Sequence, residues 1–268
     1  MQRNTAGIDA GGSLIKMVYQ ENGRMHFKKF PINEQDSAIS WLKLSVPSLK
    51  VSVTGGKSSV IQKKFFPESV IIPEFQATYE GTRFLLKAEN KDIGDNFLIV
   101  NIGTGTSWHV VKGDRVERIL GSGIGGGTFI GLGSLLTKVR GYHQLTCLSE
   151  EGNKGNVDML VEDIYESSES PINGQLTAAN FAKGIRMNPS ERDKMASLSN
   201  MIAETIVLLT SQAATIHQVK SAVIIGSATV GNNPLKQALE FYMNMVGVTP
   251  VFLDKGEYCG AIGAHITV

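Results

Sequence analysis

Cysteine is scarce: Cys147 and Cys259 are the two in 268 residues. So few, so far apart, they exclude a disulfide scaffold or a cysteine-rich zinc site and agree with a reducing compartment. Proline is sparse as well, at 8 residues. Neither sign of charge dominates, because 26 Lys and Arg face 25 Asp and Glu for a formal +1. No global basic field therefore exists to hold a nucleic acid or an anionic membrane, although a local cationic site is compatible with this balance. No apolar run reaches the ~18 residues of a spanning helix. The stretch after Met1-Gln2-Arg3-Asn4-Thr5 is broken by Asp9, so neither a signal-peptide core nor a transit peptide is expected. A cytoplasmic protein with no membrane and no nucleic-acid partner is the expectation. The five histidines (26, 109, 143, 217 and 265) show no metal-ligand spacing and are expected on the surface or packed. No Ser-His-Asp arrangement is legible.

What is present points to a folded chain. Apolar residues at 42% and charged residues at 19% exclude disorder, and the length suits one large domain or two small ones. Glycine is in surplus, 29 residues against a usual ~7%, which implies many tight turns. Two segments share one grammar of strand, polar glycine turn and strand: Ala6 to Tyr19 around Asp9-Ala10-Gly11-Gly12-Ser13, and Phe97 to Val111 around Asn101-Ile102-Gly103-Thr104-Gly105. Superposed on their glycines, Asp9 falls on Asn101. The chain is thus expected to contain two related halves, each opening with a hairpin whose turn can cradle phosphate.

Helices are expected over 34–44, 73–90 with Pro73 at the first position, 129–139, 195–216 and 234–246, with a closing small-residue helix at 260–264. Strands are expected at 51–53, 70–72 and 222–225, and this alternation argues for an α/β fold. The polar stretch 152–190 reads as a long excursion or lid.

Several residues carry chemistry. Asp9, at a strand end, can hold Mg²⁺ through its water shell, Lys16 supplies a point charge, and the intervening glycines let the backbone approach phosphate; the alternative is an ordinary hairpin turn with Asp as turn former. Gly121 to Thr128 feeds a helix start, where N–H groups and the dipole favour anions. Glu74 reads equally as a cleft-facing proton acceptor and as a first-turn acid complementing the dipole. Arg118 can reach an anionic substrate or sit in a surface ion pair. Two motif matches fail: Gly55-Gly56-Lys57-Ser58 would need glycine at Val51 to be a P-loop, and Gly121-x-Gly123-x-x-Gly126 lacks the acidic residue ~20 positions on that a dinucleotide site requires.

With these motifs in this order the chain resembles the acetate/sugar kinase, Hsp70 and actin superfamily, and within it the bacterial type II pantothenate kinases. The resemblance is carried by Asp9 to Lys16, Thr54-Gly55-Gly56, Glu74-Phe75, Asn101 to Ser107, Gly125 to Gly133, Leu176 to Phe181 and Gly260 to Ala264. It implies a duplicated actin-like, ribonuclease H-like α/β fold, with an N-terminal lobe over 1–95 and a C-terminal lobe over 96–268 around a nucleotide cleft. It also implies transfer of the γ-phosphoryl of ATP to the primary hydroxyl of pantothenate, the first step toward coenzyme A, in a homodimer. Glu74 would be the general base and Arg118 would orient or charge-balance the substrate. Asp9 would hold hydrated Mg²⁺, and Ala10, Gly11, Gly12, Ser13, Leu14, Ile15 and Lys16 would form the first phosphate turn. Thr104 would sit near the reacting phosphate and Gly126, Gly127, Thr128, Phe129 and Ile130 along the nucleotide phosphates. Tyr142 and Ser227 would lie near the adenosine. A related sugar-type kinase and a catalytically silent ATP- or coenzyme A-binding regulator are the alternatives.

Overall fold

The computed structural model describes residues 5–21, 23–46, 49–165, 170–184 and 188–267. The hairpin grammar of the sequence is realised twice, in two sheets of one topology. Strands β1 (Thr5–Ala10), β2 (Leu14–Glu21), β3 (Arg24–Pro31), β4 (Lys50–Thr54) and β5 (Val70–Ile71) lie in the order β3-β2-β1-β4-β5. The first three are antiparallel; β4 and β5 add in parallel. In the second half come β6 (Asn96–Ile102), β7 (Thr106–Lys112) and β8 (Arg115–Ser122), a two-stranded ribbon of β9 (Met159–Leu160) and β10 (Thr177–Ala179), then β11 (Ser221–Ile225) and β12 (Thr249–Phe252). Their five-stranded sheet has the order β12-β11-β6-β7-β8, with the same pattern of antiparallel and parallel pairs.

Helices occupy the connections that parallel strands require. They are α1 (Gln35–Ser45), α2 (Ser58–Phe65), α3 (Glu74–Ala88), α4 (Gly126–Leu136), α5 (Tyr142–Glu150), α6 (Val161–Tyr165), α7 (Glu191–His217), α8 (Asn233–Met245) and α9 (Cys259–Ile266). Relative to the sequence reading, α3 starts one residue later, because Pro73 serves as its N-cap with φ −53° and ψ 133°, and α4 starts three residues earlier. The half-exposed β3 and β8 and the short α2 and α5 lack the periodicity that would have revealed them.

Strand alternation decides which face meets which layer. In β6, Leu98, Val100 and Ile102 enter the core beneath α7 and α8, whereas Phe97 and Ile99 join a second core with Tyr79 of α3 and with Ala261 and Ile262 of α9. Within the first core the Trp108 indole N–H donates to Thr210 Oγ1 at 2.8 Å, satisfying its buried polar atom. In β1, Ala6, Ile8 and Ala10 face α1 and α2, leaving Gly7 and Asp9 on the opposite face.

That opposite face receives α9, the last helix of the chain, which packs on β1 and α3. Close approach is possible only because glycines meet backbone there. A Cβ on Gly263 would lie 1.8 Å from the Ala77 carbonyl oxygen, and one on Gly81 would lie 1.9 Å from that of Cys259. The closing helix of the second half therefore fixes α3, which carries Glu74 at its first position.

The stretch 152–190 is not a free lid in its described part. Asp158 is fully buried and accepts hydrogen bonds from Ser197 Oγ and, at 2.8 Å, from the Phe181 N–H. The Lys154 ammonium donates to the Tyr242 hydroxyl at 2.9 Å and to Asn200 Oδ1 at 3.2 Å. These bonds tie the segment to α7 and α8, away from the cleft; residues 166–169 and 185–187 of the expected excursion lie outside the described residues.

Candidate active site

The duplication aligns a carboxylate, Asp9, with a carboxamide, Asn101, at corresponding strand ends. Asp9 pairs across the sheet with Lys16 and Thr54; Asn101 pairs with Ser107 and Ile225. Each parallel neighbour is followed by a glycine in the left-handed region, Gly55 at φ +89° and Gly226 at φ +98°. Any Cβ would collide at both: Gly55 presses on Asp9 Oδ1 and Gly226 on Asn101 Oδ1, at 2.6 and 2.7 Å. Glycine is needed at these turns for conformation and for space.

Between the halves lies a cavity of about 540 Å³ lined by Asp9, Gly11, Gly12, Ser13, Leu14, Lys16, Glu74, Asn101, Gly103 to Ser107, Arg118, Gly121 to Gly123 and Ser227. Asp9, Lys16, Glu74 and Arg118, distant in sequence, share one wall system. Lys16 Nζ stands 3.9 Å from Asp9 Oδ2. Burial pushes the Asp9 carboxyl up, and Lys16 opposes that in part. The Glu74 carboxyl is also raised, first by desolvation and then by Asp9, with Arg118 and Lys16 pulling it back. The Asp9 charge is thus felt at Glu74, where two cations offset it in part.

Arg118 reaches the cavity because of an irregularity in its strand. The β7–β8 pairing shifts between Trp108, opposite Leu120, and His109, opposite Arg118, leaving Ile119 unpaired as a bulge. Bulges re-aim side chains. The guanidinium lies 6.0 Å from the Phe75 ring centroid and covers the bare α-carbon of Gly121, where a Cβ would be 2.0 Å from Arg118 Nη2.

A second cavity of about 410 Å³ adjoins the first and shares Ser13, Leu14, Gly103, Thr104 and Ser227 with it. Its remaining wall is Lys29, Phe30, Pro31, Gly126, Gly127, Ile130, Tyr142, Ala228 and Val230, an apolar setting suited to a flat ring. The Tyr142 hydroxyl donates to the Ala228 carbonyl at 2.5 Å and its ring meets Phe129 edge-on at 5.5 Å.

The sequence-derived residues divide by placement. Ala10, Ile15 and Phe129 have side chains buried in the cores, so only their backbone can face the cleft. Thr128 Oγ1 donates to the Gly123 carbonyl and accepts from the Gly125 N–H, which holds the glycine loop together. One expectation needs correction. The Gly126 and Gly127 N–H groups, expected to face phosphate, donate instead to the carbonyls of Gly103 and Thr104 at 2.8 Å each. The start of α4 is docked onto the second hairpin turn, so it contributes its dipole and its support of that turn. Sequence reasoning passed over Ser107, Ser122, Phe30, Pro31 and Val230 as cavity residues, for which order along the chain carries no signal.

For a divalent cation the fit can be judged from the donors. Among the described residues no group of three or more His, Cys, Asp or Glu converges, so no all-protein cage exists. Asp9 alone, a desolvated carboxylate held between Gly55 and Gly260, suits Mg²⁺, which keeps water and phosphate oxygens in most of its coordination sphere.

Comparison with known proteins agrees with this architecture. The Fumble family model matches residues 5–267. The type II pantothenate kinase of Oceanobacillus iheyensis is 41% identical over 262 residues, covering 97% of this chain and 98% of that protein. That of Bacillus thuringiensis subsp. konkukian is 39% identical over 266 residues, covering 97% and 96%. Two solved structures share the fold. One is the activator of the 2-hydroxyisocaproyl-CoA dehydratase from Clostridium difficile with bound ADPNP, with TM-score 0.66, 17% identity and 98% and 93% coverage. The other is a ROK family glucokinase from Streptomyces griseus in complex with glucose and AMPPNP, with TM-score 0.58, 12% identity and 99% coverage of both chains. The fold is therefore the duplicated, two-lobed actin-like α/β fold. With its model matched from Thr5 to Thr267 and type II pantothenate kinases as full-length relatives, the chain belongs to the Fumble family.

Proposed function

We propose that the protein is an ATP-dependent pantothenate kinase, which moves the γ-phosphoryl group of ATP to the primary hydroxyl of pantothenate and gives 4'-phosphopantothenate. The observation that carries this reading is the convergence of Glu74, Asp9, Lys16 and Arg118 with both hairpin turns on one cavity, in a chain whose full-length relatives are named for that activity. Phosphoryl transfer asks for positioning and for balancing of charge more than for covalent chemistry.

Glu74 takes the proton of the attacking hydroxyl; its raised pKa brings it closer to the ideal for a base near neutral pH. Arg118 offers a planar cation to an anionic acceptor and to charge developing on the transferring group. The tips of the hairpins, Gly11 to Ser13 and Gly103 to Gly105, flank the phosphates, with Lys16 as a point charge and Thr104 at the reacting group. Mg²⁺, held through Asp9, would neutralise phosphate charge when bound. The apolar second cavity takes the adenosine between Phe30, Ile130 and Tyr142, with Ser227 at its edge.

The lobes of this reading are residues 1–95 and 96–268, with α9 reaching back from the second onto the sheet of the first. Among the described residues no helix is long and apolar enough to cross a membrane. A cytoplasmic homodimer completes the proposal, on the family resemblance.

Incubation of the purified protein with Mg-ATP and pantothenate, and with N-acetylated sugars in parallel, tests it through ADP release and product mass. A pantothenate product heavier by one phosphoryl group is expected. ADP release with a sugar alone overturns the acceptor, and ATP binding in calorimetry without turnover on any acceptor makes the chain a nucleotide-binding regulator.

A further inference from the structure

His109 is a buried side chain that the reaction described above leaves unused. It sits on β7, 1% exposed, two residues from Ser107 and on the same face of the strand. Its Nε2 lies 3.0 Å from Ser107 Oγ, and Ser107 lines the cavity beside Glu74 and Arg118. The imidazole meets the Phe75 ring edge-on at 5.0 Å between centroids. Phe75 follows Glu74 in α3 and lies under the Arg118 guanidinium. His109 thus touches the cavity residue Ser107 directly and packs on Phe75, over which the Arg118 guanidinium lies.

The other ring nitrogen identifies the tautomer. Nδ1 is buried without a hydrogen-bond partner. A buried N–H with no acceptor is rarer and costlier than an acceptor left without a donor, so the proton belongs on Nε2. Burial and the neighbouring Arg118 cation both disfavour the doubly protonated ring, whose pKa is pushed down to about 4, so a single proton is present at neutral pH.

We infer that His109 is a positioning residue: its Nε2–H donates to Ser107 Oγ, so that the Ser107 hydroxyl proton is turned into the cleft as a donor to an oxygen of the phosphoryl acceptor. Ser107 without this partner is a free rotor that can accept as readily as donate. With it, one lone pair is taken and the hydroxyl proton is left for the cleft before the acceptor arrives, which lowers the ordering cost of binding. The inference deepens the kinase reading and rests on it for the identity of the acceptor, pantothenate.

A double-mutant cycle tests the pairing against mere packing. Steady-state KM for pantothenate, KM for ATP, kcat and Tm are measured for wild type, Ser107→Ala, His109→Leu, His109→Gln and Ser107→Ala/His109→Leu. His109→Leu is expected to raise KM for pantothenate roughly tenfold, the net worth of one hydrogen bond, with KM for ATP unchanged. His109→Gln, which keeps an N–H donor near the Nε2 position, restores most of that loss. In the Ser107→Ala background His109→Leu adds nothing. If the Leu variant does not fold, His109→Asn, which lacks a group near Nε2, takes its place in the same cycle. Additive losses, or a Gln variant as impaired as the Leu variant, overturn the inference. Wild-type turnover of pantothenate is scored separately in the same experiment. Its absence sinks the kinase reading, whereas turnover with additive losses sinks only the role of His109.

Discussion

The hydroxyls of Ser13 and Thr104, 91 residues apart in sequence, stand 2.8 Å from each other and hydrogen-bond across the cleft. They join the tips of the two duplicated hairpins at the border shared by the two cavities. In the proposed nucleotide placement the phosphates pass this point, where both hydroxyls would be available to phosphate oxygens.

Ser13→Ala therefore removes one phosphate partner and the bridge together. It is expected to raise KM for ATP by up to roughly tenfold, since hydrogen bonds to charged groups are worth ~1.5–3 kcal/mol when buried and less at this exposed tip. Ser13→Thr keeps the hydroxyl and is expected to behave as wild type. Steady-state ATP titrations at saturating pantothenate check both. An unchanged KM for ATP in the Ala variant removes Ser13 from the phosphate path.

Glu74→Gln is expected to lower kcat by roughly 10²–10⁴ while KM for ATP changes little. In wild type the carboxylate must be ionised to accept a proton. Activity is therefore present at high pH and lost as pH falls through a pKa raised above the ordinary 4.5. Arg118 pulls that pKa down, so Arg118→Gln is expected to move the acidic limb of the kcat/KM profile to higher pH, besides weakening acceptor binding. A limb that stays in place in Arg118→Gln contradicts the electrostatic coupling.

Gly121→Ala isolates the aim of Arg118 from the fold. The added Cβ would meet Nη2 at 2.0 Å, and the guanidinium is the far end of a flexible side chain that can swing away. Stability is expected to stay within ~0.5 kcal/mol of wild type. Misplacing one positioning group is expected to reduce kcat/KM roughly 10- to 100-fold. Thermal melts beside kinetics decide it: a fully active variant shows that the guanidinium position over Gly121 is irrelevant to turnover.

Gly263→Ala probes the crossing of α3 and α9. Its Cβ would lie 1.8 Å from the Ala77 carbonyl oxygen, which is backbone and cannot move aside without parting the helices. The expected cost is ~1–3 kcal/mol, as for other overpacked cores. Gly131→Ala in α4, with nothing within 4 Å of the new Cβ, serves as the control and should be neutral or stabilising by up to ~1 kcal/mol. Equal melting temperatures for the two variants would show that the crossing tolerates separation.

Much of the architecture was legible in order along the chain. Two Gly-containing hairpins, alternating strands and helices, and the spacing of Met195, Leu198, Ile202 and Ile206 record local periodicity, which a linear reading can detect. The half-exposed β3 and β8, and the bulge at Ile119 that turns Arg118 inward, left no such pattern, because their register depends on the neighbouring strand. The expected phosphate amides of Gly126 and Gly127 went to Gly103 and Thr104 for a related reason. A backbone donor is spent on whichever acceptor the tertiary fold brings to it.

By itself the sequence determined the duplicated design and the residue types of the site: carboxylates at Asp9 and Glu74, cations at Lys16 and Arg118, and glycines wherever a turn or a close approach excludes a Cβ. Only the tertiary structure decided how they meet. The separation of Glu74 from Asp9 depends on α9, which returns from the far end of the chain to wedge α3 against β1 through Gly81, Gly260 and Gly263. That contact is long-range and steric, and no local pattern encodes the distance it sets. The environment of His109, which the sequence leaves as a surface or packed histidine, was decided in the same way. Its position two residues from Ser107 on one strand face is local, but its burial and its contact with the aromatic ring of Phe75 come only with the packing of α3 on the sheet.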